Sequence, residues 1–348
     1  MPSQFKYVSC LCCIVILLLT GCENVTVTTQ SSQSSEIDLS EFSTIQTTPQ
    51  QPVISTSKSS IDKDMTTINI NDKTKTLSIE NRNGSIDIKQ GSGKDIEVKS
   101  TIIVDHATNE EALEIASKMK LQVNEGSTLE IKTYSEPYGA LNNHYPSIHL
   151  AITIPEIKNT NLQVNQKNGN LSLSNITSIG KIKLSAKNGN VDAIGISNEV
   201  VLETVNGLIM VSEAKKSVQA TVTNGNIQAD QIEGPLEMNT TNGNLSSTMA
   251  SSSIKASSVT GNITIDSDTV GGDWDIHANA GNVELHWPEE AHVEVDGKTD
   301  FGVIQTDFPL TVKPNHVTGK IGDGNYKIQA TSLVGLLKLQ MSKAGGGD

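Results

Sequence analysis

Carboxylates and histidines are the side chains of this sequence most able to carry acid, base or metal chemistry. Asp266 and Asp268 flank a serine, and Asp273 and Asp275 flank Trp274. Two carboxylates can hydrolyse a glycosidic bond when they stand on either side of it. In a strand, however, residues i and i+2 share a face, so Asp273 and Asp275 should point to solvent while Trp274 points inward. The pattern favours a solvated charged face over a catalytic pair.

The sequence predicts no metal site, no cofactor and no catalytic nucleophile. Its seven histidines show no ligand spacing with cysteine or with each other. Calcium-binding repeat turns place aspartate beside glycine, whereas the turns of this chain carry neutral asparagine. The Asn-Gly-Asn turns lack the lysine of a phosphate-binding loop and do not open a helix.

Cysteine chemistry is confined to the N-terminus, where all four cysteines lie. The apolar run from Val8 to Leu19 is too short to span a bilayer and is typical of a secretory signal. It ends in Leu19-Thr20-Gly21-Cys22, which resembles the bacterial lipobox, a motif cleaved before a diacylated cysteine. We therefore predict a signal peptide over residues 1–21 and a lipid anchor, such as palmitate, on Cys22. An ordinary signal peptide is the alternative.

Composition divides the rest of the chain. Residues 22–60 are rich in Ser, Thr and Gln without hydrophobic periodicity, which predicts a disordered tether after the lipidated cysteine. Residues 61–342 form the expected folded domain, and 343–348 a flexible tail. The formal charge of −13 and the single arginine, Arg82, argue against nucleic acid, anionic lipid and phosphate as partners. Contact with a membrane is expected through the lipid anchor.

Glycines recur through the folded part with the same residues around them. An apolar residue stands seven positions before each glycine and another stands two positions after it, with 18 to 22 residues between neighbours from the second glycine onward. A period near 20 marks a repeat architecture. The ten glycines are Gly84, Gly169, Gly189, Gly207, Gly225, Gly243, Gly261, Gly281, Gly302 and Gly324.

Apolar and polar residues alternate on both sides of these glycines, which predicts two short strands around each tight turn. A meander or barrel would use the turns as hairpins, whereas a β-solenoid would use them as corners. The apolar columns keep phase although the second connection of each repeat varies, which favours the solenoid. We predict an all-β fold, a single β-solenoid of about ten coils of 18–22 residues. One short amphipathic helix is expected over Thr108 to Leu121, near its N-terminal end.

The order of several segments resembles one known family. Ile-Thr-Ile-Pro ends a strand at Pro155, Thr-x-Asn-Gly-Asn repeats follow, and Phe308 to Val312 and Gly319 to Gly322 close the domain. Together they are similar to the DUF4097 family of adhesin-like domains. The resemblance implies a β-solenoid on an exported or membrane-attached protein and brings no catalytic residues. Members usually carry Gly-Asp or Gly-Glu where this chain has Gly-Asn.

Tyrosines are the one candidate ligand platform. Tyr134, Tyr138 and Tyr145 lie in the longest irregular segment of the folded part, which extends to Pro146. Such loops often carry function, although these rings would also serve to cover the first coil.

The leading hypothesis is a non-enzymatic lipoprotein, exported and anchored to a membrane of the bacterial cell envelope, that binds a protein or glycan partner. The alternatives are a solenoid enzyme acting on envelope polysaccharide and an envelope sensory or scaffold domain. The sequence fixes neither the partner nor the oligomeric state.

Overall fold

The computed structural model describes residues 58–135 and 146–342. Within them the chain forms 26 strands and one helix. The strands build the β-solenoid that the repeat pattern predicts. No helix in this part of the chain is long and apolar enough to cross a membrane.

The N-terminal elements close the first end of the stack. They are β1 (Lys58–Asp62), β2 (Thr66–Ile68), β3 (Thr76–Asn83), β4 (Ile86–Gln90), β5 (Ile96–Asp105), α1 (Asn109–Ser117), β6 (Met119–Asn124), β7 (Thr128–Ser135) and β8 (Ser147–Ile154). The pair β7 and β8 forms the first coil, and β3 and β4, earlier in the chain, form the second. Antiparallel β6 and β5 cover the outer edges of β7 and β8, which protects those edges from pairing with another chain.

The helix α1 is shorter than predicted. The Thr108 hydroxyl accepts a hydrogen bond from the Glu111 N–H at 3.3 Å, and the Glu111 carboxylate accepts one from the Thr108 N–H at 2.9 Å. This capping box fixes the start of the helix. Its end is fixed by pairing, because Met119 and the residues after it join β7 as a strand.

The folded part begins earlier than the predicted boundary at residue 61. Lys58 is the partner of Asp105 in the antiparallel pair of β1 and β5, so residues 58–60 belong to the fold and not to the tether. This strand could not be predicted from the hydrophobic pattern, because its residues are mostly polar and face solvent. The predicted signal peptide, the remainder of the tether and the tail lie outside the described residues.

The central repeats each supply two strands. First strands pair in parallel with first strands of neighbouring repeats, and second strands do the same, so two parallel sheets enclose one apolar interior. The strands are β9 (Asn161–Asn168), β10 (Leu171–Ile176), β11 (Ile182–Asn188), β12 (Val191–Ile196), β13 (Val200–Asn206), β14 (Ile209–Ala214), β15 (Val218–Asn224), β16 (Ile227–Ile232), β17 (Leu236–Asn242), β18 (Leu245–Thr248), β19 (Ile254–Thr260), β20 (Ile263–Asp266), β21 (Trp274–Ala280) and β22 (Val283–Trp287).

The C-terminal end corrects the predicted order of coils. Its strands are β23 (Val293–Thr306), β24 (Thr311–Lys313), β25 (His316–Ile321) and β26 (Tyr326–Met341). The long strand β26 pairs with β21 and β22 on one side and with β23 on the other. The last strand of the chain is therefore inserted before β23, which forms the outermost coil. Nine strand pairs and these two long strands make a stack of eleven coils.

The glycine column changes accordingly. Gly335, not Gly324, stacks on Gly281, and Gly302 stacks on Gly335. Gly324 lies in the turn between β25 and β26 with a φ of 62°. Gly335 also has the apolar frame, with Ile328 seven positions before it and Leu337 two positions after it. Strand pairing, and not the local pattern, selects between the two glycines.

An aromatic cluster fills the C-terminal part of the interior. Trp274 and Trp287 are fully buried and meet edge to face with ring centroids 6.2 Å apart. Trp287 also stacks on Phe308 at 4.3 Å. Both tryptophans therefore belong to the core, as the strand register predicts.

Candidate functional site

The Asn-Gly-Asn corners use their own polar groups. Five of the six asparagines before a corner glycine donate their side-chain amide to the equivalent asparagine of the preceding coil, over 2.8 to 3.0 Å, and Asn83 accepts the first of these bonds. This asparagine ladder comprises Asn83, Asn168, Asn188, Asn206, Asn224 and Asn242. Asparagines after the glycine accept backbone N–H groups of the next coil, as Asn190 does from Leu208 at 3.0 Å. The corners are thus satisfied within the fold, and a binding function must use other outward positions.

A row of basic side chains crosses the N-terminal coils beside the asparagine ladder. Arg82, Lys167 and Lys187 stand two positions before their corner glycines on the adjacent strands β3, β9 and β11. On the other side of β3, the register pairs Glu80 with Lys132, and its continuation by two residues places Tyr134 beside Arg82. Tyr134 thus lies in strand β7 and not in the irregular segment that the sequence predicts, and its partner in β6 is Lys120. We call Lys120, Tyr134, Arg82, Lys167 and Lys187 the basic row.

The charges of the basic row are free to meet a ligand. All five side chains are exposed, Tyr134 by 48%. Within the described residues none of the four cations forms an ion pair.

Two acids near the basic row, Glu80 and Glu130, form ion pairs with Lys132, which is not part of the row. Lys132 lies 3.5 Å from Glu80 and 3.4 Å from Glu130, measured from its Nζ to a carboxylate oxygen. Burial lowers the pKa of Lys132, but the two carboxylates outweigh it and hold the pKa above its usual value. The cluster has a net charge of −1, so the four cations of the basic row remain in excess beside it.

The basic row borders an open groove of about 400 Å³. Its charged lining is mostly basic but includes one acid: Arg82, Lys132, Lys167, Lys187 and Glu80. Asn81 and Thr133 are among its polar lining residues. The Thr133 hydroxyl donates a hydrogen bond to Asn81 Oδ1 at 2.8 Å, which ties the first coil to the second at the groove. Tyr134 follows Thr133 in β7 and is exposed, but it does not line the groove.

A serine and a histidine meet elsewhere without forming a hydrolase site. The Ser85 N–H donates to His149 Nδ1 at 3.2 Å, and the Ser85 hydroxyl lies 3.0 Å from the same nitrogen. Asp87 accepts from that hydroxyl at 3.3 Å. A catalytic triad places its carboxylate on the imidazole, with the free ring nitrogen facing the serine. Here the nitrogen nearest the hydroxyl already accepts a backbone N–H, so the histidine cannot serve Ser85 as a base.

The pKa of His149 fits this structural role. Burial lowers the pKa, the positive charge of Lys58 lowers it further, and the carboxylate of Asp87 opposes them in part. Sequence inspection missed this contact because Ser85 and His149 are 64 residues apart.

The structure places the other predicted candidates as follows. Asp273 and Asp275 are exposed on either side of buried Trp274, the arrangement that the strand pattern predicted. No group of three or more His, Cys, Asp and Glu side chains in residues 58–135 and 146–342 could hold a metal ion. Cys22 with its motif Leu19, Thr20 and Gly21, and also Tyr138 and Tyr145, lie outside the described residues.

Comparison with protein families identifies this architecture. The Toastrack DUF4097 family model matches residues 76–339, which is more than half of the chain. This chain belongs to the DUF4097 family. The match agrees with the resemblance that the segment order suggests, and it covers the DUF4097 solenoid from β3 to β26.

Solved structures similar to this DUF4097 domain share little sequence with it. A "putative lipid binding protein" from Parabacteroides distasonis is 12% identical, with a TM-score of 0.41 over 81% of this chain and 96% of that one. A "putative adhesin" from Bacteroides fragilis is 12% identical, with a TM-score of 0.33 over 82% and 98%. A "putative cell adhesion protein" from Clostridium sporogenes is 11% identical, with a TM-score of 0.23 over 81% and 100%. Among curated proteins none matches this sequence.

Proposed function

We propose that this protein is a non-enzymatic lipoprotein of the bacterial cell envelope whose DUF4097 solenoid binds a partner through its outward side chains. One observation carries the proposal. The side-chain amides at the corners form hydrogen bonds between coils. Outward side chains, such as those of the basic row, instead occupy equivalent positions on neighbouring coils. Such a surface suits many weak contacts along an extended partner.

The anchor in this proposal is Cys22. The lipobox-like motif follows an apolar run of signal-peptide length, and a diacylated cysteine binds a bilayer stably where a single chain would bind only marginally. The first described strand, β1, begins at Lys58, and residues 22–57 connect it to the proposed anchor.

Membrane fractionation tests the anchor. The full-length protein should be recovered with membranes and should take up labelled fatty acid, and Cys22→Ala should abolish both. Unchanged membrane recovery of the Cys22→Ala protein would contradict the anchor, whatever the solenoid binds.

A turnover assay tests the non-enzymatic assignment. The full-length protein is incubated with polysaccharide extracted from bacterial envelopes, and new reducing ends are measured. We expect binding without product release. In the described residues Asp273 and Asp275 line an open groove, and they are the first candidates for catalysis if sugar is released. Release of sugar at a rate proportional to protein concentration would favour a solenoid enzyme instead.

A further inference from the structure

We propose that the basic row is a binding site for an anionic glycan, meaning a polysaccharide that carries carboxylate groups on successive sugars. The inference rests on the proposed function and names the ligand class and the site for it. Four features carry it: local charge, spacing, an exposed aromatic ring and, among residues 58–135 and 146–342, the absence of an ion-pair partner for each of the four cations.

The local charge of the basic row opposes that of the whole chain. The chain carries −13 overall, yet the row contains four cations and no acid. The second sheet carries outward carboxylates along most of its length, at Asp87, Asp192, Asp230, Asp266 and Glu284. On the sheet of the row, Glu80 and Glu130 are the carboxylates beside it, and both pair with Lys132. At physiological salt, exposed charges are screened beyond about 8 Å, so a ligand on the row meets mainly the four cations of the row and the adjacent cluster of Glu80, Glu130 and Lys132, whose net charge is −1. The net charge of the chain therefore does not exclude an anion here.

The spacing of the row matches a sugar chain better than a peptide. Neighbouring strands lie about 4.8 Å apart, so the row of five residues is about 19 Å long and presents a group at each step. A pyranose in an extended polysaccharide advances by a similar step. In an extended acidic peptide, side chains on one face recur only every 6.6 to 6.8 Å, roughly, and fall out of phase with the row.

Tyr134 adds an apolar surface among the cations. Its ring is 48% exposed and lies beside Lys120, its partner across β6 and β7. A phenol ring presents a flat apolar face with a polar tip, which suits the apolar face of a sugar ring flanked by hydroxyl groups. Carboxylates of the same chain would then meet Arg82 and the lysines, and guanidinium can bind a carboxylate through two parallel hydrogen bonds.

The test compares the full-length protein with two charge-matched variants. The row variant combines Arg82→Gln, Lys167→Gln and Lys187→Gln. The control variant combines Lys255→Gln, Lys313→Gln and Lys327→Gln, three exposed lysines far from the row in the stack. Binding to oligogalacturonate is measured by calorimetry at low salt, and thermal unfolding of each variant verifies its fold. Neutral galactan, poly-L-glutamate and a single-stranded oligonucleotide serve as comparison ligands.

We expect the row variant to bind oligogalacturonate about 10-fold or more weakly than the unaltered protein, and the control variant to bind within about twofold of it. Tyr134→Ala should weaken binding severalfold, and Tyr134→Phe should restore it. Neutral galactan should not bind. Equal losses in both charge variants, or equal binding of poly-L-glutamate or the oligonucleotide, would overturn the glycan site. Binding of envelope polysaccharide that is unaffected in the row variant would overturn this site while leaving the proposed function in place.

Discussion

The carbonyl oxygen of Gly207 occupies the space in which a Cβ on Gly225 would have to lie. Gly225 also has a φ of 147°, in a region that L side chains rarely adopt. Both conditions recur from corner to corner, because each coil places its backbone directly on the corner of the coil before it. Stacking distance and backbone conformation together account for the repeated glycine without any ligand.

Replacing Gly225 with alanine should therefore destabilise the protein strongly. We expect Gly225→Ala to lower the free energy of unfolding by about 2–4 kcal/mol. The new Cβ would force the two stacked corners apart, and the alanine would have to keep a φ that is unfavourable for it. The measurement is urea unfolding of the full chain. Gly126→Ala is the matched control, because a Cβ there would come no closer than 3.5 Å to another atom. Equal stability of the two variants would contradict the account of the corners.

The inserted position of β26 has its own test. Gly335→Ala should cost about 2–4 kcal/mol, because its Cβ would meet the carbonyl oxygen of Gly281. Gly324→Asn should cost less than about 1 kcal/mol, since asparagine tolerates a φ near 62° and only the flexible Lys320 side chain is close. If Gly324→Asn proved the more damaging of the two, the coils would follow chain order after all.

Breaking the asparagine ladder should have a smaller effect. Asn206 donates to Asn188 at 2.8 Å and accepts from Asn224 at 3.0 Å. Asn206→Ala should lower the free energy of unfolding by about 1 kcal/mol, the net value of such hydrogen bonds at an exposed site. Thr223→Ala, an exposed neighbour on the next coil, controls for a change of side-chain size. If Thr223→Ala lowered the free energy of unfolding as much as Asn206→Ala does, the asparagine ladder would not contribute to stability.

Asp192 predicts a stability that depends on pH. Burial raises the pKa of Asp192 above its usual 3.8, and the charge of Asp87 raises it further. Its Oδ1 atom is buried without a hydrogen-bond partner among the described residues. A raised pKa in the folded state gives stability that is full below the unfolded pKa and is lost as pH rises through the folded pKa.

Asp192→Asn should therefore unfold at higher urea concentration than the unaltered protein at pH 7, and this advantage should shrink as pH falls toward 4. The check is a series of urea unfolding curves across that range. Asp275→Asn removes an exposed carboxylate and should show no such trend. An advantage of Asp192→Asn that does not change with pH would exclude carboxylate burial as its cause.

The solenoid could be predicted from sequence because stacked coils demand the same apolar residue at the same position. The coil order could not, since Val317 and Tyr326 frame Gly324 as well as Ile328 and Leu337 frame Gly335. Strand pairing over the whole domain decides between them. The β1 strand could not be predicted, because it pairs with β5 through backbone hydrogen bonds and buries little apolar surface.

The candidate site could be predicted only in part. Tyr134 was identifiable as an aromatic residue at a long loop. Arg82 and Lys167 were not identifiable as neighbours, because 84 residues separate them and the first coil is formed out of chain order. The net charge of the chain argued against an anionic ligand, because it sums the basic row with carboxylates that are distributed over both sheets.

The most direct test of the central claim is retention of envelope polysaccharide by cells that carry the full-length protein. Labelled polysaccharide is added to cells expressing the unaltered chain, Cys22→Ala, or the row variant, and the bound label and its chain length are measured. We predict retention of full-length polysaccharide by the unaltered chain and its loss in both variants. Equal retention by all three, or shortening of the polysaccharide by the unaltered chain, would contradict an anchored binding surface.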